Sequence, residues 1–211
     1  MKKTTALLLA LVLAVSVLSG AAAAGAISDV KEWAWYAPYV EKCVSLGWID
    51  CRENGSFAPN EFMTRGEFVK ALYGAYLLRN GQETASYTEM PFTDVEYHDE
   101  NGNCTGVWDA VCWAYESGIA KGTGNGEFNP DGALSREMAA TMLYRFLASD
   151  VKAEKEKSFT DERSTSFWAY EAIKWAAGVG LIKGYSDGSL KPRNYITRAE
   201  GAALVLRAAE L

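Results

Sequence analysis

Arg65, Arg136 and Arg198 directly follow Thr64, Ser135 and Thr197, each at the start of a segment with helical apolar periodicity. Thr64 with Glu67, and Thr197 with Glu200, fit a capping box. The hydroxyl accepts from an early helix N–H, and the acid three residues on reaches back to the cap amide. Ser135 reads as a cap as well, but Met138 stands where the acid belongs, and Glu137 one residue earlier only complements the helix dipole. Thr64, Ser135, Thr197, Glu67 and Glu200 thus have a structural use first and a ligand-contacting use second. The arginines have no capping use. A cation in the first turn opposes the macrodipole by roughly a few tenths of a kcal/mol. A helix N-terminus offers free N–H groups to an anion, and an arginine beside them adds a charge-assisted, two-pronged carboxylate contact. The chemistry expected of these positions is therefore recognition of a carboxylate. The plain alternative is an internal pair with Asp29, Asp94 or Asp161.

The elements that position the arginines repeat three times. Asn54-Gly55-Ser56-Phe57-Ala58-Pro59, Asn125-Gly126-Glu127-Phe128-Asn129-Pro130 and Asp187-Gly188-Ser189-Leu190-Lys191-Pro192 each precede the Thr/Ser-Arg pair by the same interval. Upstream, Ile27-Ser28-Asp29, Phe92-Thr93-Asp94 and Phe159-Thr160-Asp161 open the units, which run over 27–80, 91–149 and 158–211. The polar segments between them read as exposed connections. Repeat two carries an insertion over 96–105 whose composition says surface loop. Each unit reads as helix, turn, helix, with first helices over 35–46, 108–117 and 168–179. Pro38 falls in a first turn, where it is tolerated, and Gly47, Gly118 and Gly180 act as stop signals. One such unit is too small to bury its apolar faces, so the three must share a core.

Residues 1–26 have the pattern of a secretory signal peptide: Lys2 and Lys3, an apolar run from Ala6 to Leu18, then small residues. The run is short for a membrane span, so no membrane contact is expected after cleavage. Removing the two lysines lowers the net charge of −6 by two, to −8. So acidic a chain, without basic clusters, excludes a general nucleic-acid binder. Of the 7 Trp and 11 Tyr, most are expected in the core. Cys43, Cys51, Cys104 and Cys112 form two C-x7-C pairs in an exported chain that can keep disulfides. The simplest pairing is Cys43–Cys51 and Cys104–Cys112, which pins the insertion to the following helix. Four cysteines allow three connectivities, and free thiols stay open for an anaerobic host. With His98 the sole histidine and no C-x2-C, no metal site is expected, and no cofactor.

The run Gly180-Leu181-Ile182-Lys183-Gly184-Tyr185 through Pro192, with Ile196-Thr197-Arg198-Ala199-Glu200 and the opening Phe159-Thr160-Asp161, resembles an S-layer homology (SLH) repeat. Repeats one and two resemble it with changes, so the likeness covers all of 27–211. The resemblance implies a mainly α fold of three helix-turn-helix repeats in a pseudo-threefold, three-pronged spindle. It also implies secretion to the bacterial cell wall or surface layer. There the chain would anchor non-covalently through secondary cell-wall polymer, in grooves between prongs, at a pyruvylated N-acetylmannosamine unit. Carried over by position, the binding arginines are Arg65, Arg136 and Arg198. Trp35 and Trp168 occupy matching places where they can stack on sugar, and repeat two has Gly106 there, beside Trp108. Asp29, Asp94 and Asp161 line the grooves or cap the first helices, and capping is the expectation.

Two other function classes stand beside this one. A glycan hydrolase needs two carboxylates flanking a cleft, but Asp94, Glu96, Asp99 and Glu100 cluster in one solvent-facing loop with His98. No enzyme is expected. A structural or assembly protein that uses its SLH repeats for protein contacts, with a cargo or surface-layer partner, is the alternative to glycan binding.

Overall fold

The computed structural model describes residues 27–81, 87, 89–96 and 106–211. The expected signal peptide, and all but Glu96 of the insertion, including Cys104 and His98, lie outside them. Six α-helices form two per repeat: α1 (Ala37–Ser45) and α2 (Arg65–Arg79), α3 (Val107–Glu116) and α4 (Arg136–Leu147), α5 (Tyr170–Gly178) and α6 (Arg198–Ala209). Two short 3₁₀ turns, Glu162–Ser164 and Phe167–Ala169, lead into α5. The first helices start about two residues later than expected in repeats one and three. Trp168 therefore lies in a 3₁₀ turn, because Glu137 of α4 holds the backbone N–H and hydroxyl of Ser166 just upstream. Pro38 does fall in the first turn of α1. Gly47, Gly118 and Gly180 follow the C-caps with φ of 68°, 69° and 82°, the left-handed geometry that favours glycine.

The second helices begin where the hydroxyl caps predicted. Thr64, Ser135 and Thr197 accept from the N–H of the third helical residue, and Thr64/Glu67 and Thr197/Glu200 close full capping boxes. Pairing of the helices is not within repeats. α1 packs on α6, α2 on α3, and α4 on α5. Each prong thus joins the second helix of one repeat to the first helix of the next, and α1 on α6 closes the circle. This is the three-pronged, mainly helical architecture that the family resemblance implied.

The circle is stitched at the pseudo-threefold axis by three backbone hydrogen bonds in a ring. Met63 N–H donates to Ile196 O (3.0 Å), Ile196 N–H to Leu134 O (2.9 Å), and Leu134 N–H to Met63 O (2.9 Å). All three side chains are fully buried. Extended backbone brings the segments so close that a Cβ on Gly201 would lie 1.9 Å from Met63 Sδ. The core runs from this axis out along the prongs and takes Trp48, Trp113 and Trp175, but among the described residues Tyr73 is the one buried tyrosine and Trp33, Trp35 and Trp168 are exposed, so fewer of these aromatics enter the core than expected.

Asp29, Asp94 and Asp161 do not cap the first helices, none of which has a side-chain cap. Their carboxylates instead accept two consecutive backbone amides each: Phe57 and Ala58, Phe128 and Asn129, Leu190 and Lys191, all at 2.7–2.8 Å. The second residue of each pair has φ of 55–60°. Holding Ala58 and Lys191 left-handed is costly. The charge-assisted bonds offset that cost and set the turn ahead of each proline.

Candidate functional site

The amides expected to await an anion are already occupied. Arg65 and Gly66 N–H donate to Gly132 O and Pro130 O (2.9 and 2.8 Å). Arg136 and Glu137 donate to Asn194 O and Pro192 O (2.9 and 2.8 Å), and Arg198 and Ala199 to Glu61 O and Pro59 O (2.8 and 3.2 Å). The third N–H of each helix goes to the cap hydroxyl. The turn of the next repeat in the cycle therefore satisfies the donors left over at each helix start, and the expected open amide cradle is corrected. What remains for chemistry is the arginine side chains.

Each arginine leaves its helix and enters the next repeat. Arg65 enters repeat two, Arg136 repeat three, and Arg198 repeat one, and their exposures are 6 %, 8 % and 1 %. In repeat one, Arg198 Nε donates to Phe57 O (2.8 Å) and Nη2 to Asp50 O (2.6 Å), and Nη1 pairs with Glu67. The guanidinium stacks on Phe57 at 4.7 Å. Arg52 adds a second cation, bonding Glu67 at 2.8 Å and Glu61 at 2.7 Å. Two guanidiniums and two carboxylates neutralise one another. Burial pulls the Arg198 pKa down, and Glu67 pushes it back in part.

In repeat two, Arg65 makes the matching bonds, Nε to Phe128 O and Nη2 to Lys121 O, both 3.0 Å, and stacks on Phe128 at 4.7 Å. The position of Glu67 is here Met138, that of Glu61 is Gly132, and that of Arg52 is Thr123. Among the described residues no carboxylate lies within ion-pair distance of Arg65. Burial lowers its pKa, and only the field of Asp94 acts in the other direction. A buried charge without a counter-charge is costly, so this pocket is electrostatically unfinished.

Repeat three differs again. Leu190 offers no ring, and Lys183 O is taken by Lys157 Nζ. Arg136 therefore swings to Tyr185, 5.0 Å over its ring, and pairs with Glu200 at 3.1 Å. Its buried Nε has no protein partner. Lys191 Nζ lies 4.4 Å from the centre of the same half-exposed Tyr185 ring, so two cations share one aromatic wall. Trp35 and Trp168 are 57 % and 55 % exposed, open to solvent as sugar-stacking would require. Gly106 caps α3 with φ 67° and gives repeat two no such ring. Glu137, expected only to favour the dipole, is buried and holds Ser166 across a repeat boundary. Nothing in sequence separation suggested that partner.

The disulfide expectation is corrected. Cys43, Cys51 and Cys112 are free thiols. Cys43 points into the core and donates to Ala202 O across the α1–α6 contact, away from Cys51 in the following loop. Cys112 is buried and donates to Glu89 O, and its expected partner Cys104 lies outside the described residues. Burial pushes the Cys43 thiol up to about 12, and burial with Asp109 and Glu116 pushes Cys112 to about 11. Among the described residues no cluster of metal-ligating side chains occurs, and no helix is long and apolar enough to cross a membrane.

Three cross-repeat arginine pockets on a closed ring of helix pairs define a repeat-built surface module. The S-layer homology domain matches residues 26–69, 103–140 and 158–202, and the chain belongs to that family, whose place is the bacterial cell wall and surface. Among similar proteins are "Cell surface glycoprotein 1" of Acetivibrio thermocellus, 34 % identical over 74 % of this chain and 7 % of that protein. The "Cellulosome-anchoring protein" of the same organism is 29 % identical over 74 % and 34 %. An "Endoglucanase" of Bacillus sp. (strain KSM-635) is 29 % identical over 84 % and 18 %. The chain thus spans about a third or less of the length of each of these relatives.

Proposed function

We propose that the chain anchors to the cell envelope by taking the carboxylate of a pyruvylated secondary cell-wall polymer into its arginine pockets, foremost that of Arg65. The observation that carries this reading is that Arg65, alone of the three, keeps a buried guanidinium with no carboxylate beside it. A ligand carboxylate supplies the missing charge and accepts a charge-assisted bond. The Arg136 pocket supports a second contact, since Tyr185 offers an aromatic wall for a sugar face with Arg136 and Lys191 against it. Relatives named for the cell surface and for anchoring agree with such a role. The role is binding and not catalysis: Asp94, the acid nearest the Arg65 pocket, is committed to the amides of Phe128 and Asn129. Partners under this reading are the polymer and, through it, a cargo or surface-layer protein.

Co-sedimentation with native wall sacculi tests the proposal. Wild type is expected to sediment with native sacculi and not with pyruvate-stripped ones, and Arg65→Ala is expected to lose most retention. Equal retention on stripped sacculi would instead favour assembly through protein contacts.

A further inference from the structure

The repeat-one pocket contains an acid that its counterparts lack. Glu61, four residues before the start of α2 at Arg65, corresponds to Gly132 and Asn194 in the other repeats, and Arg52 corresponds to Thr123 and Tyr185. One oxygen of Glu61 accepts from both Nε (3.0 Å) and Nη2 (2.7 Å) of Arg52. The side chains of Glu61 and Arg52 are 58 % and 38 % exposed, whereas Arg198 beneath them is 1 % exposed. Glu67 bridges the two layers by accepting from both arginines. Burial acts against the charge on Arg52, but Glu61 and Glu67 outweigh it and raise its pKa.

We propose that Glu61 is an internal substitute for the ligand's carboxylate: it occupies Arg52 and closes the repeat-one pocket, leaving there a latent third binding site. This rests on the reading of the pockets as carboxylate sites. The Glu61–Arg52 pair is the exchangeable layer, because exposed ion pairs contribute little net stability. The Arg198–Glu67 pair below is structural. Without Glu61 the pocket holds two guanidiniums and one carboxylate, the same single excess positive charge that Arg65 gives repeat two. Arg52 then presents Nε and Nη2 side by side, the fork that matches a carboxylate.

Calorimetric titration of the intact chain with a soluble oligosaccharide bearing pyruvylated N-acetylmannosamine tests this. Glu61→Ala is expected to take up one equivalent more than wild type, and Glu61→Ala with Arg52→Ala to lose that extra equivalent. Thermal melting by circular dichroism checks that each variant is folded. Glu61→Gln, which keeps the shape and removes the charge, is expected to show the same gain and serves if the alanine variant does not fold. Binding by wild type with no added equivalent in the folded Glu61 variants would overturn the substitute role alone. No binding by any variant, wild type included, would overturn the carboxylate reading and this inference with it.

Discussion

Arg198 and Arg65 leave their helices at the same position and bond the same two carbonyls of the next repeat, yet Arg198 meets Glu67 there and Arg65 meets Met138. The first pocket is charge-balanced and sealed, while the second keeps its charge. One side chain can therefore act as a structural rivet or as a ligand-seeking group, and a single neighbour on another repeat decides which. Arg136 lies between these cases, with a carboxylate partner, an unpartnered Nε and an exposed aromatic wall.

The largest effect that would break this comparison is on the sealed side. Arg198→Ala removes one partner of a buried pair and leaves Phe57 O and Asp50 O without their donor, while Glu67 keeps Arg52 and the Thr64 amide. Denaturant unfolding should show a loss of about 3–5 kcal/mol. Arg65→Ala breaks hydrogen bonds but no ion pair, so unfolding should report a smaller loss, roughly 1–3 kcal/mol, while retention on wall sacculi falls at least about tenfold. If the two variants were equally destabilised, the distinction between rivet and ligand-seeker would be lost.

Met138→Glu sharpens the contrast, because it should convert the second pocket into the likeness of the first. The new acid completes a capping box with Ser135 and pairs with Arg65. Stability should rise by about 1 kcal/mol as wall binding weakens. A gain in both, or a loss in both, would contradict the assignment.

The turn that frames the Arg65 pocket gives a smaller effect with a pH signature. Burial pushes the Asp94 carboxyl up, but the amides of Phe128 and Asn129 and the charge of Arg65 outweigh it and hold it below the ordinary 3.8. A depressed native pKa stabilises fully above the unfolded value, and the contribution is lost as pH falls through the native one. Asp94→Asn should therefore cost roughly 1 kcal/mol at neutral pH. The difference from wild type should close as pH drops below 3.8, read from melting curves across pH. Smallest of all, thiol labelling followed by mass mapping should modify Cys51 well before the buried Cys43 and Cys112. Faster labelling of Cys43 would place it outside the core.

Much of this frame was legible in the residues. The hydroxyl caps, the glycine stops and the threefold pattern identify every helix to within two or three residues, because each depends on short-range backbone geometry. The partners were not legible. That Arg65 faces Met138, that Pro130 and Gly132 fill the amides of α2, and that Glu137 holds Ser166 all follow from the cyclic order of the repeats, which pairs each helix start with the next unit. Asp29, Asp94 and Asp161 look like helix caps in the sequence because the left-handed turns at Ala58, Asn129 and Lys191 carry no sequence mark in Ala or Lys. The C-x7-C spacing suggested a bridge but could not show that Cys43 turns toward α6.

The most direct test follows the arginine side chains themselves. In nitrogen-15 spectra of the Arg Nε–H groups, pyruvylated oligosaccharide should shift the Arg65 resonance and leave that of Arg198 in place. A shift of Arg198 with Arg65 unmoved would contradict the account.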